Sequence, residues 1–113
     1  MKTVDHIAFL VEDLELSQKW YEKNCGAILI FEDYKHKRMT FSNIVLALID
    51  KKHYKYSHIG LYVDKYENLP TDKGEVVQHR DGTTGCYVKD PDGNMVEFIH
   101  YNEKCKKEMK IKS

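Results

Sequence analysis

Two histidines and one glutamate stand out by type and position. His6 sits in Asp5-His6-Ile7-Ala8-Phe9-Leu10-Val11-Glu12, and His58 sits in Ser57-His58-Ile59-Gly60-Leu61-Tyr62-Val63-Asp64. Set one beneath the other, the two octets repeat a single pattern: polar, His, Ile, small, apolar, apolar, Val, acidic. Units related by a pseudo-two-fold axis bring equivalent strand positions together, so the duplication offers two imidazoles to one ion. Glu97 lies in Met95-Val96-Glu97-Phe98-Ile99, which answers Val45-Leu46-Ala47-Leu48-Ile49 in the first copy. Singly, a strand histidine is more often a hydrogen-bonded core residue, and a lone glutamate can face solvent. Together they form an N,N,O donor set that suits Mn(II), Ni(II), Co(II), Zn(II) or Fe(II) and leaves positions open for water and substrate.

The elements that must carry these residues follow from periodicity. Residues 3–11 alternate and are rich in β-branched and aromatic types, which predicts a strand. Leu14, Leu16, Trp20 and Tyr21 lead into Cys25-Gly26, predicting a helix over about 14–24 that Gly26 stops in the left-handed conformation. Strands are expected at 27–32, 37–41 and 44–50, the last two joined by a Ser42-Asn43 turn. After the linker 51–57 the order begins again: a strand at His58, a helix cut short by Pro70, then strands at 75–79, 85–89 and 95–101. Asp90-Pro91-Asp92-Gly93 marks the turn before the last strand. The reading is α+β, one domain over residues 1–101 built of βαβββ modules at about 3–50 and 56–101. Residues 102–113 read as a basic, solvated tail or a short helix.

Composition narrows the class. A chain of 113 residues with 42% hydrophobic and 32% charged side chains is ordinary globular material. Eighteen basic and 18 acidic residues give zero formal charge, so no global field gathers nucleic acid or an anionic membrane. No apolar run approaches the roughly 20 residues that span a bilayer, and no apolar signal core opens the chain, so a cytoplasmic location is expected. Three cysteines, Cys25, Cys86 and Cys105, share no metal-type spacing and point to a reducing compartment rather than to disulfides.

The motifs resemble a known family. His6-Ile-Ala-Phe-Leu-Val-Glu-Asp13-Leu14, then Ser17, Trp20-Tyr21 and Cys25-Gly26, are similar to the opening signature H-x-x-x-x-V-x-D-L-x-x-S-x-x-F-Y-x-x-x-L-G of the vicinal oxygen chelate superfamily, which includes glyoxalase I. His58-Ile-Gly-Leu-Tyr-Val resembles the start of that family's second module. Asp90-Pro-Asp-Gly93-Asn-Met-Val-Glu97-Phe resembles its ending. The likeness covers residues 1 to about 101 and implies a curved mixed sheet around a metal cavity, with His6, His58 and Glu97 as ligands. The family's fourth ligand position falls near Ala47, flanked by Leu46 and Leu48, none of which binds metal. That departure weakens a glutathione-dependent lyase reading and brings the chain nearer the fosfomycin-resistance transferases and the ring-cleaving dioxygenases. The short segment 65–74 departs from the usual full helix, and a partner chain or the tail is expected to cover the face it leaves.

The resemblance implies Lewis-acid stabilisation of an oxyanion on a small oxygen-bearing substrate. Glu97, water on the ion, or a cavity histidine or tyrosine would move the proton. His79, Tyr62, Tyr87 and Tyr101 are the substrate-side candidates, because alternation puts Tyr62 on the face of His58 and Tyr101 on the face of Glu97. Arg80 and Thr84 join them from the loop where fosfomycin-type members hold a phosphonate; against this, the loop's threonines can simply cap turns. Trp20 and Tyr21 are assigned to packing the helix on the sheet, and Cys86 to a buried strand position. His36, His53 and His100 are given no role. The expected activity is a metal-dependent lyase, isomerase or thiol/epoxide transferase, with glutathione or another thiol as an optional co-substrate. The alternatives are a metal-free binding protein of the bleomycin-resistance type and a small Fe(II) dioxygenase. A homodimer is expected, in which His6 of one subunit joins His58 and Glu97 of the other; the same site can instead form within one chain.

Overall fold

The computed structural model describes residues 2–102; of the expected tail or helix over 102–113, all but Asn102, and with it Cys105, lies outside the described residues. The elements are β1 (Val4–Val11), α1 (Leu14–Cys25), β2 (Ile28–Glu32), β3 (His36–Thr40), β4 (Val45–Asp50), β5 (His58–Tyr62), a 3-10 turn (Tyr66–Asn68), β6 (Glu75–Gln78), β7 (Thr84–Lys89) and β8 (Met95–His100). This is an α+β chain with mixed strand pairing, in which βαβββ occurs twice and the second helix is reduced to the 3-10 turn. The backbone divides into two compact units, Val4–Ile59 and the residues from Gly60 onward joined by Lys2 and Thr3, so that β5 straddles the division.

In the first unit the strand order is β2-β3-β4-β1. β1 and β4 run parallel, with His6 beside Val45 and Ala8 beside Ala47, while β2, β3 and β4 pair antiparallel. Helix α1 starts where the Asp13 carboxylate accepts a hydrogen bond from the Leu16 amide at 2.9 Å, and it ends at Gly26 with φ of 69°. Leu14 and Tyr21, two turns apart, pack on buried Ala27, Met39, Leu46 and Leu48. Trp20 does not. It is 54% exposed, and Leu16, one turn earlier, is 68% exposed. The expectation that Trp20 packs the helix on the sheet is therefore corrected. Its i,i+4 relation to Leu16 puts both on the solvent side once Leu14 and Tyr21 take the core side.

A lysine lies beneath the helix. Lys37 on β3 is 2% exposed, on the same strand face as Met39. Its Nζ donates to Glu15 Oε1 at 2.5 Å, Gln18 Oε1 at 2.5 Å and Glu32 Oε1 at 3.0 Å. Burial disfavours the ammonium, but the hydrogen bonds and charges of Glu15 and Glu32 outweigh it and hold the Lys37 pKa above its ordinary value. The other face of β1 and β4 carries a second cluster, Ala8, Ala47 and Ile49, with Leu10 and Tyr54 against it. By alternation this is the face of His6.

In the second unit the order is β5-β8-β7-β6, with β6, β7 and β8 antiparallel. Val63, Leu69 and Cys86 form the core on one face, with Val88 and Phe98. Ile99 and Tyr101, with Tyr62 against them, occupy the other. The turn before β8 is set by Asp90, whose side chain accepts from the Asp92 and Asn94 amides and the Asn94 side chain, and by Gly93 at φ of 86°. Those bonds hold the Asp90 carboxyl below the usual carboxylate range. The turn thereby fixes the register that pairs Tyr87 with Glu97.

Candidate metal centre

The two histidines meet within the first unit of a single chain. His6 is 5% exposed, and its Nε2 lies 3.0 Å from His58 Nε2, with the rings edge to face at 87°. On its other side, His6 Nδ1 is 2.7 Å from Asp5 Oδ2. An Nδ1–H donated to that carboxylate leaves the lone pair on Nε2, the atom turned to His58. Two ring nitrogens aimed at each other across 3.0 Å are a donor pair that one divalent ion would satisfy. The duplication is chemically unequal, because Ser57 replaces Asp5 in the second copy and its hydroxyl accepts from the Leu10 amide at 3.0 Å. The fourth ligand position carries only methyls: Ala47 pairs with Ala8, and Leu46 and Leu48 belong to the core under α1.

Glu97 belongs to the second unit. It is 2% exposed, and a partner for this buried carboxylate is His79, whose Nε2 lies 2.6 Å from Oε2. His79 follows β6 directly. Its amide donates to Thr83 O at 2.9 Å and its carbonyl accepts from the Gly82 amide at 3.1 Å, closing a tight connection to β7. The Tyr87 ring stands edge-on to the imidazole, with centroids 6.1 Å apart. Of the other expected residues, Tyr62 and Tyr101 lie against each other with ring centroids 6.1 Å apart. Thr84 is buried, and its hydroxyl donates across the hairpin to Gln78 Oε1 at 2.9 Å. Thr83 donates to Asp81 from both its amide and its hydroxyl. Arg80 is exposed. Cys86 is fully buried on the face opposite Glu97, since it pairs with Phe98, and burial, with the nearby Asp72 charge, pushes its thiol pKa up.

Two contributors escaped the sequence reading. Asp5 orients His6, and the adjacent Asp-His pair was its only signal. Gly85 makes room: a Cβ there would fall 2.3 Å from Glu97 Oε2 and 2.6 Å from His79 Nε2. A glycine inside a strand is the known mark of such a close approach.

No protein-family profile matches the sequence, and no curated protein does. Solved structures do match. A glyoxalase/bleomycin resistance protein/dioxygenase superfamily member from Vibrio splendidus 12B01 superposes with a TM-score of 0.67 at 15% identity, over 88% of this chain and 99% of that one. The chain has the vicinal oxygen chelate fold. A hypothetical protein of Bacillus halodurans C-125 gives 0.72 at 16% identity over 90% and 96%. Methylmalonyl-CoA epimerase of Mycobacterium tuberculosis gives 0.70 at 15% over 92% and 91%. Among the described residues, no helix is long and apolar enough to cross a membrane.

Proposed function

We propose that this chain is a divalent-metal enzyme of the vicinal oxygen chelate kind, with His6, His58 and Glu97 as its ligands. The observation that carries the reading is the His6–His58 pair, two imidazole nitrogens facing each other at 3.0 Å with a carboxylate already on the far side of one ring. A bound ion would supply Lewis acidity toward an oxyanion on the substrate. The chain's own part is to keep His6 in one tautomer through Asp5, to hold the Glu97 carboxylate in place through His79, and to keep the first module's β4 face apolar at Ala47 and Ile49. His79 and Tyr87 are the proposed proton-handling and substrate-contacting groups of the second unit, with Tyr62, Tyr101, Arg80 and Thr84 as further substrate contacts. The proposed reaction is a lyase or isomerase step, or a thiol or epoxide transfer, on a small oxygen-bearing molecule. A proton shift of the kind an epimerase performs fits the same machinery.

A homodimer is part of the proposal, supported by apolar side chains of the first unit that stand in solvent: Leu16, Trp20, Ile28 and Ile30. The test is elemental analysis of protein purified without a metal-affinity tag, then thermal-shift titration of stripped protein with Mn(II), Ni(II), Co(II), Zn(II) and anaerobic Fe(II). Near-stoichiometric metal, or a several-degree stabilisation lost in Glu97→Ala, supports the reading. No metal and no shift would overturn it in favour of a metal-free binding protein.

A further inference from the structure

Glu97 is a carboxylate in the middle of an apolar strand, and a ligand in that position must be aimed before it is useful. A carboxylate rotating about its last bond presents either oxygen, and a misdirected one costs affinity as surely as a missing one. The second unit contains a device that stops this rotation. Its parts lie at some distance along the sequence: His79 directly after β6, Gly85 and Tyr87 on β7, and Glu97 on β8.

We propose that His79 is a positioning residue that fixes the Glu97 carboxylate through an Nε2–H···Oε2 bond, in a space that Gly85 keeps open; this rests on the metal-centre reading above. Three observations meet here. The bond is short, 2.6 Å, and its acceptor is 2% exposed, so water does not compete strongly for it. The imidazole is held by its backbone, through the Thr83 and Gly82 bonds, and by the edge-on Tyr87 ring. The loop behind it is tied again where the Asn102 side chain donates to Gly82 O at 2.6 Å. Finally, the 2.3 and 2.6 Å approaches of Glu97 and His79 to the Gly85 Cβ position mean that any other residue would push the pair apart. A carboxylate has two oxygens and about four lone-pair sites, so a bond from His79 directs Glu97 without consuming it as a ligand.

The arrangement parallels that of His6, whose Nδ1 is held by Asp5. In the first unit a carboxylate orients an imidazole; in the second an imidazole orients a carboxylate. The loop 80–83, which the family resemblance offers as a substrate contact, is thus the mount for His79.

The experiment compares the full-length wild type with His79→Ala, His79→Gln and Gly85→Ala. Each is stripped and titrated with Zn(II) and Mn(II) by calorimetry, with circular dichroism to verify the fold. Because the glutamine amide nitrogen falls near the place of Nε2, His79→Gln restores the donor without the ring. Removal of an orienting partner typically weakens metal binding about 10–100-fold. That loss is expected for His79→Ala and for Gly85→Ala, with most of it recovered in His79→Gln. Alongside, long-range 1H–15N spectra of metal-free wild type should show His79 as the Nε2–H tautomer with a hydrogen-bonded shift that Glu97→Ala abolishes. Wild-type affinity in folded His79→Ala, or no recovery in folded His79→Gln, overturns the positioning role while leaving the metal centre standing. Absence of metal binding by the wild type overturns the functional reading and the positioning role together; the spectrum still reports whether the His79–Glu97 bond exists.

Discussion

Lys37 and its partners make an unequal cluster, and the inequality can be measured. The lysine side chain is 3% exposed, whereas those of Glu15 and Glu32 are 69% and 55% exposed. Removing the cation by Lys37→Met keeps an unbranched apolar stem in the space and returns two carboxylates to water they already touch. The expected change is about 1 kcal/mol or less, of either sign, because a buried charge replaced by a packed apolar group is often neutral or stabilising. Removing the anions by Glu15→Ala with Glu32→Ala leaves a buried ammonium with Gln18 alone. Orphaning a buried charge costs about 3–5 kcal/mol. The assay is urea unfolding by circular dichroism. With a slope of about 1–3 kcal/mol per molar, the double variant should unfold at least about 1 M earlier, and adding Lys37→Met to it should restore most of the loss. The pH dependence has a definite sign. Since the folded pKa is raised above 10.5, the cluster contributes fully below that value and its contribution fades as pH rises through the folded value. The stability gap between wild type and Lys37→Met should therefore be flat near neutrality and shift toward the variant in strong alkali. Equal destabilisation by the lysine and the double-glutamate changes would refute the argument that the buried cation is the liability.

Further outcomes follow from other residues. His58→Ala should weaken divalent-metal binding at least about tenfold with circular dichroism unchanged, and unaltered stoichiometry and affinity in calorimetry would remove it from the ligand set. Asp5→Asn should weaken the same binding about tenfold by loosening the His6 tautomer, read in parallel titrations. Asp13→Ala should cost about 1 kcal/mol in urea unfolding, since it deletes the side-chain acceptor for the Leu16 amide. In a Cys25→Ser, Cys105→Ser background, Cys86 should resist a thiol reagent until denaturant is added, because it is fully buried with its thiol pKa raised; prompt labelling would contradict its placement.

Local pattern alone determined a good deal of this protein. Alternation and turn chemistry place the strands and the helix to within about two residues, because Asp13, Gly26 and the Asp90–Gly93 turn act through their own backbone neighbours. Repetition of the His6 octet at His58 exposed the duplication, and with it the two imidazoles that the structure brings to 3.0 Å. Tertiary structure decided what depends on meetings between distant segments. Which side of α1 faces the core turned Trp20 outward, a choice that four apolar residues on a short helix leave open. Lys37 reads as an ordinary strand lysine until a helix carrying Glu15 and Gln18 is laid over it. His79 and Glu97 are unrelated in sequence, and only the pairing of β7 with β8, and the hairpin that brings His79 back beside β7, sets one against the other across Gly85. Periodicity reports the face on which a side chain stands; its partner there is set by strand register and close packing, which no local pattern contains.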